Sequence, residues 1–226
     1  LGGFMEEKVL PLSQKFDDHS AKMDSVRKAL LEQGVCQIPF PEELGGLGLP
    51  FGIYVLAMEL AGYSDAALAL SIAIHNTAAE GIFQFGSEEQ KRRYVPDIIS
   101  GQKVASFSLT EPTSGSDAKT MNTRAEKRGG GYVLNGSKAF ITNAGEADVY
   151  FVFASTDKGP SSFIVERSSP GMSFSTVSVL CGCSSLERLL ASSGLPLKAR
   201  MGPTLACIEP ISSSGTSESV WMTIQR

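Results

Sequence analysis

Two short segments combine residue types that suit a phosphate and a flat ring. The first, the turn segment (residues 110–117), gathers hydroxyls, a glycine and two carboxylates after the strand-like run 104–109. Such a turn can present several N–H and O–H donors to one anion, so it is a candidate phosphate cradle. The same residue types also favour an ordinary turn, which needs no ligand.

The second, the ring segment (residues 136–143), places Phe140, Ile141 and Thr142 between a lysine and an asparagine. An aromatic ring beside a β-branched side chain can pack on a planar ring system. The two segments therefore predict two edges of a pocket for a flat, phosphorylated cofactor. A core aromatic within a strand is the alternative for Phe140.

Both segments closely resemble the flavin-binding region of acyl-CoA dehydrogenases, in order and in spacing. The similarity is carried by Leu109-Thr110-Glu111-Pro112, Gly115-Ser116-Asp117, Leu134-Asn135-Gly136-Ser137-Lys138 and Ile141-Thr142-Asn143, and it covers about residues 1–174. The resemblance implies FAD as the cofactor and an acyl-CoA thioester as the substrate, in fatty acid or amino acid catabolism. A carboxylate would remove the α proton while hydride passes from Cβ to flavin N5, and the protein would supply orientation and electrostatics.

The resemblance also implies roles for single residues. Leu109 and Thr110 would approach the isoalloxazine edge, and Ser116 would serve the pyrophosphate and also meet the acyl-CoA. The predicted cofactor-binding set is Phe107, Ser108, Leu109, Thr110, Gly115, Ser116, Phe140, Ile141 and Thr142. Glu111 is expected to hold the turn rather than act as a base, and Asp117 to accept backbone N–H bonds. Lys138 is expected to be a solvated strand lysine, and His75 a satisfied core histidine.

No catalytic residue is assigned, because the resemblance places the glutamate base in a C-terminal helical domain without a recognised counterpart here. The serine-rich tail, residues 175–226, resembles nothing recognised and is expected to be frame-shifted or alternatively spliced. The chain is therefore expected to be truncated and inactive, or nearly so. A non-catalytic family remnant or interaction module is the alternative. A flavin enzyme of the same fold with another reaction, such as an acyl-CoA oxidase or nitroalkane oxidase, also stays open.

Composition excludes several classes of protein. The 226 residues suffice for one large or two modest domains, and 42% apolar residues argue against disorder. A net charge of −4 without a basic stripe argues against nucleic acid as a partner. The most apolar run, residues 66–74, is too short to cross a bilayer, so no membrane is expected.

Cysteine spacing and the family resemblance bear on the compartment and the partners. The four cysteines match no zinc or disulfide spacing, so no metal and a reducing, intracellular compartment are expected. That compartment would be the mitochondrial matrix in a eukaryote or the cytoplasm in a bacterium; the chain starts at Leu1, so a preceding targeting peptide stays open. The resemblance implies electron-transfer flavoprotein as electron acceptor. It also implies homo-oligomers through the C-terminal bundle, which are not expected for this form.

Hydrophobic periodicity predicts an α+β fold: a helical domain (residues 1–102), a small antiparallel β-barrel or sandwich (103–174) and the unassigned tail. Helices are predicted over 6–16, 24–33, 53–63, 66–85 and 88–99, with Asp65 as a cap, Ser87 and Gln90 as a capping box, and Pro96 kinking or shortening the last. Strands are predicted over 104–109, 121–127, 131–134, 138–142, 148–154 and 161–166, with hairpin turns at 129–131 and 135–136.

Overall fold

Helices come first along the chain and strands follow, which confirms the α+β class. The structure is a computed structural model that describes residues 1–13 and 23–174. The end of the helix predicted over 6–16 and the unassigned tail lie outside the described residues. The helices are α1 (Gly2–Phe4, continued by a π-helical stretch Met5–Val9), α2 (Asp24–Glu32), α3 (Phe51–Ser64), α4 (Ala66–Phe85) and α5 (Glu88–Ile99).

Both predicted helix caps are confirmed. The Asp65 carboxylate accepts a hydrogen bond from the backbone N–H of Leu68 at 2.7 Å. Ser87 and Gln90 form the full capping box, with reciprocal bonds of 3.2 and 2.9 Å. Pro96 does not end α5, which continues to Ile99.

Helix α4 is the core helix of the fold. By length and composition alone it could cross a membrane, so the sequence-based limit of residues 66–74 was too short. The apolar run continues past His75 because this histidine is itself buried. Leu68, Ile72 and Ile82 are fully buried, and α4 packs against α3, α5 and the first strand. That burial is typical of the core helix of a globular domain.

Helix α3 is only partly covered. Its Tyr54, Ala57 and Ala61 face the core. Within the described residues, the other side of the helix leaves large apolar side chains exposed: Phe51, Ile53, Val55, Leu56, Leu60 and Tyr63.

The strands β1 (Ala105–Ser108), β2 (Arg124–Arg128), β3 (Gly131–Asn135), β4 (Val149–Thr156) and β5 (Gly159–Glu166) form one mixed sheet. β2 and β3 form an antiparallel hairpin, as do β4 and β5. β1, however, pairs in parallel with β4, from Ala105 opposite Val149 to Ser108 opposite Val152. The sheet therefore differs from the purely antiparallel arrangement predicted. Turn residues predict local hairpins, but no local turn fixes the direction of a strand that pairs with a distant one.

The strand predicted over 138–142 is wrong. Residues 136–139 belong to no strand, and Phe140 and Asn143 adopt left-handed φ values of 56° and 65°. A strand cannot pass through such residues. The hairpin predicted at Asn135-Gly136 is also wrong, because β3 ends at Asn135 and no strand among the described residues follows Gly136 to pair with it.

Candidate functional site

The turn segment and the ring segment lie side by side, as predicted. The backbone N–H of Ala139 donates to the carbonyl of Thr110 at 2.9 Å. The Lys138 ammonium donates to the carbonyl of Leu109 at 3.0 Å. The end of β1 is therefore hydrogen-bonded directly to the chain that leads into Phe140.

Glu111 holds the turn together, as expected. One carboxylate oxygen accepts the N–H of Asn122 at 2.5 Å, and the other accepts the N–H of Thr123 at 2.9 Å. The second oxygen also accepts from the Lys138 ammonium at 2.8 Å. Burial alone would raise the pKa of Glu111, but the bonds from Lys138, Thr123 and Asn122 outweigh it and lower the pKa to about 2. The carboxylate is thus ionised and fully engaged.

The prediction of a solvated Lys138 is wrong. Its side chain is 6% exposed and that of Glu111 is 2% exposed, so the two form a buried ion pair. Burial lowers the pKa of Lys138, and the hydrogen bond and charge of Glu111 partly restore it. Sequence reasoning missed the pair because nothing local marks two oppositely charged residues, 27 positions apart, as partners.

The other residues of the turn segment form hydrogen bonds mostly with residues a few positions away in the sequence. Ser114 donates to the carbonyl of Asp117 at 2.6 Å, and the Asp117 carboxylate accepts the N–H of Lys119 at 3.2 Å, as expected for this residue. Gly115 and Ser116 are exposed. Among the described residues nothing hydrogen-bonds the Ser116 hydroxyl or the Thr110 hydroxyl. These groups are therefore available to a ligand.

Phe140 is not a core aromatic. Its side chain is 63% exposed, and its φ of 56° is uncommon for a bulky residue. A left-handed non-glycine residue is strained by on the order of 1 kcal/mol, and such strain is frequent at functional sites. The next two residues, Ile141 and Thr142, are half-buried, and the Thr142 carbonyl accepts from the Ser106 hydroxyl at 2.6 Å.

Asn143 ties the ring segment to the helices. Its amide oxygen accepts from the Ser71 hydroxyl at 2.6 Å, and its amide nitrogen donates to the carbonyls of Ser71 at 3.0 Å and Ala105 at 3.2 Å. The buried Arg27 of α2 reaches the same oxygen at 3.4 Å and Glu146 at 2.7 Å. Sequence reasoning missed Arg27 and Ser71 because their partners lie 116 and 72 residues away.

Two of the predicted cofactor-binding residues turn towards the protein. The Phe107 ring packs against those of Phe151 and Phe153, with centroids 6.0 and 5.2 Å apart. Ser108 is 2% exposed. The accessible groups of the predicted set come from Leu109, Thr110, Gly115, Ser116 and residues 140–142, and every role assigned to them stays a prediction.

His75 is a fully buried core histidine with both ring nitrogens hydrogen-bonded, which confirms that expectation. In the described part of the chain, no group of three or more His, Cys, Asp or Glu side chains is placed to hold a metal ion. Two clefts on the described surface, one beside Arg27 and one beside Arg93, are lined by none of the predicted cofactor-binding residues.

Comparison with known proteins decides the family. The family model described as acyl-CoA dehydrogenase, N-terminal domain, matches residues 2–102, and that for the acyl-CoA dehydrogenase middle domain matches residues 106–188. The chain belongs to the acyl-CoA dehydrogenase family. The second match runs past residue 174, so the first part of the unassigned tail falls within the family model.

Curated relatives agree with this assignment. An acyl-CoA dehydrogenase of Bacillus subtilis is 39% identical over 174 residues, which are 74% of this chain and 46% of the relative. The mitochondrial isobutyryl-CoA dehydrogenase of Dictyostelium discoideum is 39% identical over 176 residues, which are 76% of this chain and 42% of the relative. The chain thus spans less than half the length of these relatives.

Solved structures share the fold. A glutaryl-CoA dehydrogenase of Mycobacterium smegmatis in complex with FADH2 matches with a TM-score of 0.75 at 28% identity, over 80% of this chain and 47% of that one. A chain from the structure of the electron transferring flavoprotein of Acidaminococcus fermentans also matches with a TM-score of 0.75, at 39% identity, over 78% of this chain and 48% of that one. FAD is the cofactor of the family.

Proposed function

We propose that this chain forms one wall of the FAD site of an acyl-CoA dehydrogenase, an enzyme that oxidises the Cα–Cβ bond of an acyl-CoA thioester. The observation that carries the proposal is the junction between Ala139 and Thr110 at 2.9 Å. It brings together the two segments that resemble the family's flavin-binding region, and it leaves the Phe140 ring exposed beside them.

The chemistry of the available groups fits FAD. The exposed ring of Phe140 suits one face of a flavin. The Thr110 hydroxyl, without a partner among the described residues, suits a polar edge of the ring system. The exposed Gly115 and Ser116 suit an anionic pyrophosphate, and Ser116 also suits the acyl-CoA. FAD, when bound, supplies the hydride-accepting centre; these residues hold and orient it.

The described wall does not supply the base. Removal of an α proton needs a carboxylate that is free to accept it. Glu111 directly follows the proposed flavin contact Thr110, but it accepts three hydrogen bonds and its pKa is about 2. We therefore propose that the 226-residue chain on its own binds the cofactor without completing the reaction.

Short or branched acyl groups are the proposed substrate class. Support comes from the isobutyryl-CoA dehydrogenase among the relatives. Electron-transfer flavoprotein is the proposed electron acceptor, because a chain from the structure of such a flavoprotein is among the matches.

The test begins with the purified 226-residue chain. It is titrated with FAD, followed by quenching of flavin fluorescence, and then mixed with isobutyryl-CoA and a redox dye. Saturable FAD binding without dye reduction is the expected result. Rapid dye reduction would contradict the proposal that the 226-residue chain on its own does not complete the reaction.

A second candidate is a non-catalytic family member that acts as an interaction module. The three hydrogen bonds that Glu111 accepts favour it, because this buried carboxylate is then not free to act as a base. The same titration separates the two candidates: no FAD binding supports the interaction module and contradicts the flavin wall.

A further inference from the structure

The ammonium group of Lys138 joins the two segments at a particular place. It donates to the Leu109 carbonyl at 3.0 Å and to the Glu111 carboxylate at 2.8 Å, the residues on either side of Thr110. The next residue along, Ala139, donates its N–H to the carbonyl of Thr110 itself at 2.9 Å. The three consecutive residues 109–111 are thus held by two consecutive residues of the ring segment, directly before Phe140.

The Glu111 carboxylate, which accepts from Lys138, is itself held in place by other hydrogen bonds. The Glu111 carboxylate is fixed by the N–H groups of Asn122 and Thr123, where the chain enters β2. A tight turn also closes on Glu111, whose N–H donates to the Ser114 carbonyl at 2.7 Å. A lysine that reaches this carboxylate is therefore set against a fixed point of the fold.

Stability alone gives a poor reason for such a pair. Desolvation of two charges offsets most of their attraction, so apolar residues of similar volume often stabilise a buried site equally well. What the ion pair adds is a defined geometry. The Lys138 ammonium donates to the Leu109 carbonyl and to the Glu111 carboxylate at the same time, and so fixes the position of both acceptors relative to its own segment. The place where this geometry matters is the exposed surface formed by Thr110 and Phe140.

We infer that Lys138 and Glu111 are positioning residues that set the separation between Thr110 and Phe140, and hence the position at which the flavin ring binds on this wall. The inference rests on the proposed function. The pair touches neither cofactor nor substrate; it acts through the two segments that would.

The test compares three variants of the full chain. Lys138→Met keeps the volume and removes both bonds. The double variant Glu111→Gln/Lys138→Met also removes the charge left unpaired, so it remains informative if the single variant fails to fold. Lys138→Arg keeps a cation and tests rescue. Ser87→Ala is the matched control, because losing a helix cap destabilises the fold at a residue whose hydrogen bonds in the described structure involve neither segment.

Three readouts separate positioning from bulk stability. They are the dissociation constant for FAD, the visible circular dichroism of the bound flavin, and hydrogen exchange of the Ala139 amide in the protein without FAD. Lys138→Met and the double variant are expected to weaken FAD binding at least tenfold, change the flavin dichroism and speed exchange at Ala139. Lys138→Arg is expected to recover affinity to within about threefold of wild type. Ser87→Ala is expected to lower the melting temperature by about 2–4 °C with FAD affinity unchanged.

Wild-type affinity and dichroism in the double variant would overturn the inference while leaving the FAD wall intact. An equal loss of affinity in Ser87→Ala would also overturn it, since the effect would then follow stability. Failure of the wild-type chain to bind FAD would overturn the proposed function and this inference together.

Discussion

The Nδ1 atom of His75 accepts the backbone N–H of Ala105 at 2.9 Å, while its Nε2 atom lies 2.9 Å from the Ile98 carbonyl. Since Nδ1 is the acceptor, Nε2 carries the proton and donates to Ile98. One neutral imidazole therefore joins α4, α5 and β1 at the point where the helices meet the sheet. Burial lowers the pKa of His75 to about 4; the Ile98 bond opposes that shift and the charge of Arg27 adds to it.

This geometry predicts a pH dependence of stability. Between pH 6.5 and about 4 the unfolded chain binds a proton at His75 that the folded chain does not. The contribution of His75 is thus complete above pH 6.5 and is lost as the pH falls towards 4, on the order of 3 kcal/mol in all. Urea denaturation at pH 7.5, 6, 5 and 4 measures it. The variant His75→Leu should be less stable at pH 7.5, because the Ala105 N–H and Ile98 carbonyl lose their partner, and its slope over this range should be much shallower. Equal slopes in both proteins would contradict the prediction.

The left-handed backbone of Phe140 predicts an unusual order of stability. Glycine adopts φ of 56° without strain and alanine does not, so Phe140→Gly should be more stable than Phe140→Ala by about 1 kcal/mol. Both variants should bind FAD more weakly than wild type, since both lack the exposed ring. Urea denaturation without FAD and a fluorescence titration with it measure the two effects. A more stable alanine variant would show that the residue is not left-handed in solution.

Replacement of Asn143 should loosen the ring segment from the helices. Asn143→Ala removes the bonds to Ser71 and Ala105 and places an alanine at φ of 65°. The free energy of unfolding is therefore expected to fall by about 2–4 kcal/mol. Asn143→Gly is the control: it loses the same amide but relieves the backbone, and it should recover about 1 kcal/mol. Chemical denaturation of both gives the comparison. A loss below 1 kcal/mol in Asn143→Ala would count against the anchoring role.

Gly136 should not tolerate a side chain. A Cβ there would lie 2.6 Å from the Cα of Thr123 and 2.7 Å from its Cβ, both too close for contact. Gly136→Ala should therefore displace Thr123, whose N–H binds Glu111, and lower the free energy of unfolding by about 2 kcal/mol or more. Gly115→Ala is the control, since a Cβ there meets nothing within 4 Å and should change stability by less than about 0.5 kcal/mol. Similar denaturation midpoints for the two variants would refute the close packing of Gly136.

Local chemistry explains what the sequence could predict. Asp65 and Ser87 cap helices through residues three positions away, so their roles are visible in the sequence itself. The adjacency of the turn and ring segments was predicted from their residue types and from the family resemblance, and the Ala139–Thr110 bond confirms it.

Contacts between residues far apart in the chain explain what could not be predicted from the sequence. Residues 138–142 look like a strand, but the bonds of Asn143 to Ser71 and Ala105 and of Ser106 to Thr142 fix them in another conformation. Lys138 looks solvated for the same reason: its buried partner belongs to a different segment. The direction of β1 was hidden as well, because its partner strand begins 44 residues later.

The parallel pairing of β1 with β4 has a consequence during synthesis on the ribosome. Among the described strands β1 has no other neighbour, so Ala105 must await Val149 before its edge can be paired. At roughly 5–20 residues per second, those 44 positions take about 2–9 seconds to translate. Throughout that interval the nascent helices can already pack, whereas β1, which leads into Leu109 and Thr110, is still unpaired. Chaperones that bind unpaired strand edges could bind β1 during this interval.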